Sequence, residues 1–575
     1  MTELACLPYG VGATDEGVCL RLQMGPYRIL LDCGLSSVAP ILELGSEGLP
    51  ADVVLCTHAH ADHAQCLLDL HRAFPQLPIY ASEVTTQLLP LNWLDEDDVP
   101  AFCQALPWRS PIEFFEGLSV ELFPAGHLPG AAACLLTYST RDRDFTVFYT
   151  GDFFLSNSRL VDGMPLDELR GLRPDVLILE GSYGTARHPH RRQQENQLAE
   201  RINQAIADQQ SVLFPMPTLG LGQELLMLLR SHHYFTGRDV DIWVDEAIAA
   251  GCDAYLNLLP HLPSSVQNFA RHQPLFWDER IRPRVRRLPQ DPALQAIALT
   301  GQKPCIVLTH HETDLMRYVQ LGNLPWLALL PQQPGRPGAI EAMTYRKVKA
   351  SAPLQAAIQA GRLELDTYLL GEHCDGPSTT QLIHNLRPQH VVFVHGPSNY
   401  LADLTGLEEL QTRYQLHTPA AGIEVELPVG ETFLQPAAPD TQYEGEILEL
   451  EHSIVMSLPD SITTDPRWHH LADTGIVEAR WQGEALVIRG VPQRELLGRG
   501  REFRVSPEVE CCENCIHCRG QRCWNQASPL YGFRVTPDGY CPVFEPLPEL
   551  GLGGFALPDF MDEPGFEADD TEAQG

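Results

Sequence analysis

The stretch Thr57-His58-Ala59-His60-Ala61-Asp62-His63 decides how this chain is read. Three imidazoles and a carboxylate crowd into six residues, directly after the short apolar run Val53–Thr57. That run predicts a buried strand, so the polar cluster sits on the loop at its end. Imidazole nitrogen and carboxylate oxygen are the ligands that zinc and similar ions prefer. Alternate residues of an extended segment point the same way. His58 and His60 can therefore share one ion, while Asp62 and His63 turn toward a second. A helical pattern follows from Ala64, with Leu67, Leu68 and Leu70 on its apolar face.

Two ions need more ligands, and the chain offers three in similar settings. His127 lies in Pro124-Ala125-Gly126-His127-Leu128-Pro129-Gly130, Asp152 in Tyr149-Thr150-Gly151-Asp152-Phe153, and His395 in Phe393-Val394-His395-Gly396-Pro397. Asp152 and His395 stand at the ends of apolar runs. Each of the three has a glycine beside it, which lets backbone pass close to an ion.

Further out, Cys19–Gln23 and Tyr27–Asp32 read as strands paired across Met24-Gly25-Pro26, and Val147–Thr150 and Val176–Glu180 as further short strands. Strands mixed with helices and ending in polar loops predict an α/β sandwich. From about Thr185 the pattern changes. Leu198, Ile202 and Ile206 recur at helical spacing, Ser211–Pro215 is a strand, Gly222–Arg230 a helix and Val240–Val244 a strand. Such alternation predicts a second α/β domain with a parallel sheet. Leu365–Leu370 and His390–Val394 read as strands around a helix at Ser378–Leu386. Leu434–Tyr443 reads as a linker, Ile476–Arg480 and Ala485–Arg489 as a hairpin, and the stretch after Phe544 as disordered.

Composition narrows the class. The chain has 575 residues, 44% of them apolar, enough for several domains. It contains no run of eighteen apolar residues that would span a membrane. Its start lacks a basic segment followed by an apolar block, so the cytoplasm is the expected compartment. The formal net charge is −35. Between Leu547 and Gly575 lie eight acidic residues and no Lys or Arg. Such a balance argues against nonspecific coating of long nucleic acids, where counterion release supplies the affinity. It does not bar a cleft with a favourable local field. Two basic segments, Arg187 with Arg191 and Arg192, and Arg280, Arg282, Arg284, Arg286 and Arg287, could grip phosphates.

Together these motifs resemble the metallo-β-lactamase fold and, more narrowly, the β-CASP nucleases, the group of RNase J and the mRNA 3′-end cleavage subunit. The resemblance covers residues 5 to 435. Asp32 in Leu31-Asp32-Cys33-Gly34 matches the first motif, His58, His60, Asp62 and His63 the second, His127 the third and Asp152 the fourth. Glu180 in Glu180-Gly181-Ser182-Tyr183-Gly184, His373 in Gly371-Glu372-His373-Cys374-Asp375, and His395 resemble the three β-CASP motifs. The resemblance implies an αββα sandwich formed by residues 1–184 and 366–435, interrupted by a β-CASP insertion at 185–365. A C-terminal β-rich and Cys-rich module would follow at 436–545, and an acidic tail at 546–575.

Carried over by resemblance, His58, His60 and His127 hold one Zn2+. Asp62, His63 and His395 hold another, and Asp152 bridges the two, with Mn2+ as an alternative metal. Activated hydroxide would then cleave a phosphodiester of RNA, or alternatively of single-stranded DNA. His373 would position the phosphate or protonate the leaving oxygen, Glu180 would hold His373, and Asp32 would support the ligands. Three positions depart from the family pattern. Leu221 replaces an arginine, Val307-Leu308-Thr309-His310-His311-Glu312 stands in place of a serine-glycine-methionine segment, and Pro397 replaces a glutamate. No ligand is lost. A small-substrate hydrolase of the same fold and a non-catalytic subunit of a nucleic-acid processing complex are the competing readings.

Of sixteen cysteines, ten are scattered before residue 400 and read as buried small hydrophobes of a reducing compartment. The rest cluster as Cys511, Cys512, Cys515, Cys518, Cys523 and Cys541. Their density predicts a metal knuckle with Cys515, Cys518, Cys523 and Cys541 as ligands of a structural Zn2+, an iron–sulfur cluster being the alternative. Through this module the chain could also meet protein partners.

Overall fold

Alternation along the early strands sets the first layer. Val18, Leu20, Leu22 and Met24 join one cluster of buried side chains, while Cys19 between them joins another. A strand covered on both faces needs this period of two. The computed structural model describes residues 4–429, except 14–15, 45–47, 97, 301–302 and 323. It also describes 442–450, 453–457, 477–482, 485–490, 515–519, 522–525 and 545–546.

Two seven-stranded sheets carry the sandwich. The first reads, across, Val425–Glu426, Leu4–Val11, Val18–Met24, Tyr27–Leu31, Val53–Leu55, Ile79–Ser82 and Cys103–Leu106. It is antiparallel as far as Tyr27–Leu31 and parallel beyond. The second reads Gln415–His417, His390–Val394, Val176–Glu180, Asp144–Tyr149, Ala132–Ser139, Leu118–Pro124 and Ile112–Phe115. Its first four strands are parallel and the remainder antiparallel. Leu20, Leu22, Ile29 and Leu55 of one sheet meet Val120, Leu136, Val147, Ile178 and Val392 of the other in one buried apolar core. Each fully buried aliphatic side chain of this kind contributes about 1.5–3 kcal/mol. Leu30, Val54, Leu177 and Leu179 face the opposite way, into a cluster that takes in Leu67 and Leu70 of helix Leu67–Ala73 and Leu382 and Leu386 of helix Gly376–Leu386. The result is the expected αββα sandwich.

The insertion is built on a wholly parallel six-stranded sheet. Its order is Arg284–Arg287, Asp241–Val244, Cys305–His310, Ser211–Met216, Trp326–Pro331 and Leu363–Tyr368. Both faces are apolar: Val212 and Phe214 join one cluster, Leu213 another. Helix Arg191–Ala207 buries Gln194, Leu198, Ala199, Ile202 and Ile206 in a stripe at helical spacing. The strand expected at Leu365–Leu370 runs Leu363–Tyr368 and pairs along its whole length with Trp326–Pro331. It therefore belongs to the insertion's sheet, and the chain returns to the sandwich after Tyr368 rather than at residue 365.

Toward the C-terminus, Ser453–Ser457, Gln442–Leu450, Ala485–Gly490 and Val477–Gln482 form an antiparallel sheet, which contains the expected hairpin. The chain divides into two compact units, 1–493 and 494–575. The β-rich segment and the cysteine cluster, expected as one module at 436–545, thus fall in different units, because the strands pair among themselves before residue 493. The linker residues 434–441 and the tail 547–575 lie outside the described residues. No described helix is long and apolar enough to cross a membrane.

Candidate metal centre

Strand ends bring the motif residues together. Val53–Leu55 leads into His58 and His60, Asp144–Tyr149 into Asp152, Val176–Glu180 ends on Glu180, and His390–Val394 leads into His395. The backbone is bent to make this possible. Asp32 and His395 both adopt the left-handed conformation, with φ of 58° and 48°. A non-glycine residue there is strained, and such strain gathers at functional sites. Gly34 is required by contact: a Cβ on it would stand 1.7 Å from the Asp62 carbonyl oxygen.

Two ligand clusters result. His58, His60, His127 and Asp152 offer ligand atoms within 4.8 Å of one another, and so do Asp62, His63 and His395. Asp152 faces both. Its Oδ2 lies 3.6 Å from His58 Nε2 and 3.7 Å from His127 Nε2. Its Oδ1 lies 3.3 Å from His63 Nε2 and 2.8 Å from His395 Nδ1. His58 Nε2 and His63 Nε2 are buried without a hydrogen-bond partner. Orphaned polar atoms of this kind cost free energy unless something binds them. Convergent imidazole and carboxylate donors fit a pair of divalent cations.

The outer contacts fix which nitrogen of each ring faces inward. His63 Nδ1 donates to Asp32 Oδ2 at 2.8 Å, His127 Nδ1 to the Glu372 carbonyl at 2.9 Å, and His60 Nε2 to the Leu219 carbonyl at 3.4 Å. Lone pairs are left on His63 Nε2, His127 Nε2 and His60 Nδ1, and the last two approach to 3.0 Å. Asp32 also accepts from Thr57 N at 2.7 Å and from the Tyr149 hydroxyl at 2.6 Å.

A third cluster adjoins the second. Glu180 accepts from Phe153 N at 2.8 Å and from Ser182 Oγ at 2.5 Å, and lies 2.7 Å from His373 Nδ1. His373 in turn is 3.9 Å from Asp152. Burial holds His58 and His127 well below the usual histidine range, helped by neighbouring rings. At His373 burial opposes the cation, but Glu180 and Asp152 outweigh it and push the ring up to about 9. At His395 Asp152 and Asp62 likewise overcome burial, pushing it up to about 10. Neutral rings thus line the first cluster, and protonatable rings lie beside the carboxylates.

The structure brings His58, His60, Asp62, His63, His127, Asp152 and His395 together in two adjoining clusters. Thr57, Tyr149, Ser182 and the carbonyls of Leu219 and Glu372 were not singled out from the sequence. Thr57 and Tyr149 flank the motifs directly, and that adjacency was the available signal. The two carbonyls carry no side-chain signature at all.

Several arginines of the basic segments have other employment. Arg284 pairs with Asp239 and Asp241, Arg286 with Glu279, and Arg287 with Asp253 while lying over Trp277. Arg191 reaches inward to Glu224. Leu221, where an arginine is usual, is buried. His310 is half-buried and His311 exposed. In the second unit, Cys518 stands opposite Cys523 on a short antiparallel ladder and its N–H donates to the Cys515 carbonyl. The Cys523 side chain and Cys541, like Cys511 and Cys512, lie outside the described residues.

Comparison with known proteins agrees with this geometry. Residues 27–213 match the Beta-lactamase superfamily domain. "Uncharacterized protein sll0514" of Synechocystis sp. is 50% identical over 554 residues, 94% of this chain and 97% of that one. "Ribonuclease TTHA0252" of Thermus thermophilus is 30% identical, over 44% of this chain and 61% of its own. "Probable RNase MJ4" of Methanocaldococcus jannaschii is 28% identical, over 40% and 56%. The chain belongs to the metallo-β-lactamase superfamily and, within it, to the β-CASP group. It is a hydrolase of the metal-dependent kind.

Proposed function

We propose that this protein is a ribonuclease that hydrolyses phosphodiester bonds of RNA with two divalent cations. The observation that carries the reading is Asp152, whose two oxygens each face one complete ligand cluster. The ribonuclease names of two relatives support RNA over DNA. His58, His60 and His127 would hold one ion, Asp62, His63 and His395 the other, and Asp152 both. The ions, Zn2+ or Mn2+, supply water activation and charge neutralisation for in-line displacement at phosphorus. His373, the protonatable ring held by Glu180, orients the phosphate or delivers a proton to the leaving oxygen. Asp32 keeps His63 in the tautomer that presents Nε2 inward. Cys515, Cys518, Cys523 and Cys541 are assigned to a separate structural Zn2+.

The test is hydrolysis of single-stranded RNA, labelled internally and at its 5′ end, by the metal-loaded protein. The Asp62→Ala, His63→Ala double variant and a chelated sample run beside it. Cleavage that disappears in both controls supports the reading, and the product ladder separates internal from terminal attack. Intact RNA and DNA despite two bound cations would move the assignment to a small-substrate hydrolase of the same fold or a non-catalytic subunit.

A further inference from the structure

Thr57 precedes the histidine motif and is buried at 1% exposure. Its hydroxyl sits between Asp32 and His58. Thr57 Oγ1 is 2.9 Å from Asp32 Oδ2 and 3.1 Å from Oδ1, and 3.1 Å from His58 Nδ1. A hydroxyl has one proton to donate, and an ionised carboxylate can only accept. The Thr57 proton therefore goes to Asp32, and His58 Nδ1 must donate to Thr57 Oγ1. His58 is then the Nδ1–H tautomer, with its lone pair on Nε2. That Nε2 is the buried atom without a partner that faces Asp152.

Asp32 thus reaches one imidazole in each cluster. It holds His63 of the second directly, at 2.8 Å, and His58 of the first through the threonine hydroxyl. The threonine itself has no freedom to turn away. Its carbonyl accepts from Ala132 N, its N–H donates to Asp32, and Gly151 packs against it. A Cβ on Gly151 would meet the Thr57 Cβ at 2.7 Å.

We propose that Thr57 is a positioning residue of the first ion: its hydroxyl relays Asp32 to His58 and fixes the His58 tautomer. Removing the relay leaves His63 anchored and His58 unspecified, so the two ions respond differently. This inference rests on the two-ion reading above.

The test uses Mn2+ binding to the full-length protein, followed by electron paramagnetic resonance; Mn2+ is a hard ion that avoids the cysteine cluster. Thr57→Val keeps the shape and removes the hydroxyl, and Thr57→Ser restores it. In a His63→Ala background the ion that remains is the first, and in a His60→Ala background it is the second. Thr57→Val is expected to weaken Mn2+ binding about 10–100-fold in the former and to leave the latter within twofold, while Thr57→Ser matches the parent in both. Equal weakening in both backgrounds, or no recovery with serine, overturns the proposal. Should the valine variant fail to fold, as judged by circular dichroism of the metal-free protein, Thr57→Ala against Thr57→Ser makes the same comparison. Failure of the two-ion reading is seen separately, as fewer than two Mn2+ bound by the unaltered site.

Discussion

Asp152 connects the clusters with one side chain, and its charge matters more than its shape. Asp152→Asn preserves the volume but replaces one oxygen by a donor that faces ring nitrogens. Both ions should bind at least 10-fold more weakly, as equilibrium dialysis with Zn2+ would register, and hydrolysis should fall with them. Glu180→Gln acts on a different property. His373 is pushed up to about 9 chiefly by Glu180 and Asp152 against burial, so the ring is protonated below that pH and loses its proton above it. Without the Glu180 charge the ring's pKa falls toward the ordinary histidine value of about 6.5. If His373 donates a proton, the alkaline limb of the pH–rate profile should move to lower pH in Glu180→Gln. An unmoved limb would remove His373 from the role of acid.

Among the elements, the turns after the strands carry the strictest demands. Gly34 faces the Asp62 carbonyl so closely that any side chain must push the histidine loop away. Gly34→Ala should cost about 3 kcal/mol or more, at or beyond the upper end of ordinary overpacking, measured as a lowered urea midpoint. Metal binding should weaken in parallel, because the same loop carries His60, Asp62 and His63. The edge strand Arg284–Arg287 shows a different economy. Its arginines pair with Asp239, Asp241, Glu279 and Asp253 inside the insertion. Charged residues on an edge strand discourage pairing with another chain. Arginine spacing that suggested a phosphate grip in the sequence is here spent within the fold. Replacing Arg287 by alanine should therefore alter RNA affinity by less than about threefold, since a surface pair contributes little beyond its own contact.

Across the whole molecule the net charge of −35 governs how a polyanion can be met. A protein with six to ten phosphate contacts loses about 10³–10⁵ in affinity between 50 and 200 mM salt. With the arginines of its edge strand already paired, this protein should show a far shallower dependence, below about tenfold in the same range. A steep slope would reveal a basic surface that the ion pairs do not suggest. Chelation is a second global test. Bound cations stabilise the folded state by mass action, so removing them should lower the melting temperature by several degrees, and the loss should reverse on adding Zn2+ or Mn2+.

The chain by itself pointed to the candidate ligands, because metal chemistry needs particular residue types, and His58, His60, Asp62, His63, His127, Asp152 and His395 stand in legible motifs. It also indicated an α/β sandwich and a second α/β domain with a parallel sheet, because burial on one or both faces of a strand writes itself as alternation or as an apolar run; the αββα layering followed from the family resemblance. Three things waited for the tertiary structure. The insertion's last strand was placed too late, since Leu363–Tyr368 declares its sheet only through its pairing with Trp326–Pro331. Arg284 and Arg287 read as part of a basic patch until carboxylates well back along the chain, Asp239, Asp241 and Asp253, came into contact. The tautomers of His58, His60 and His127 depend on a hydroxyl and two backbone carbonyls, and a carbonyl is the same at every residue, so only the folded chain can say which one a ring will meet.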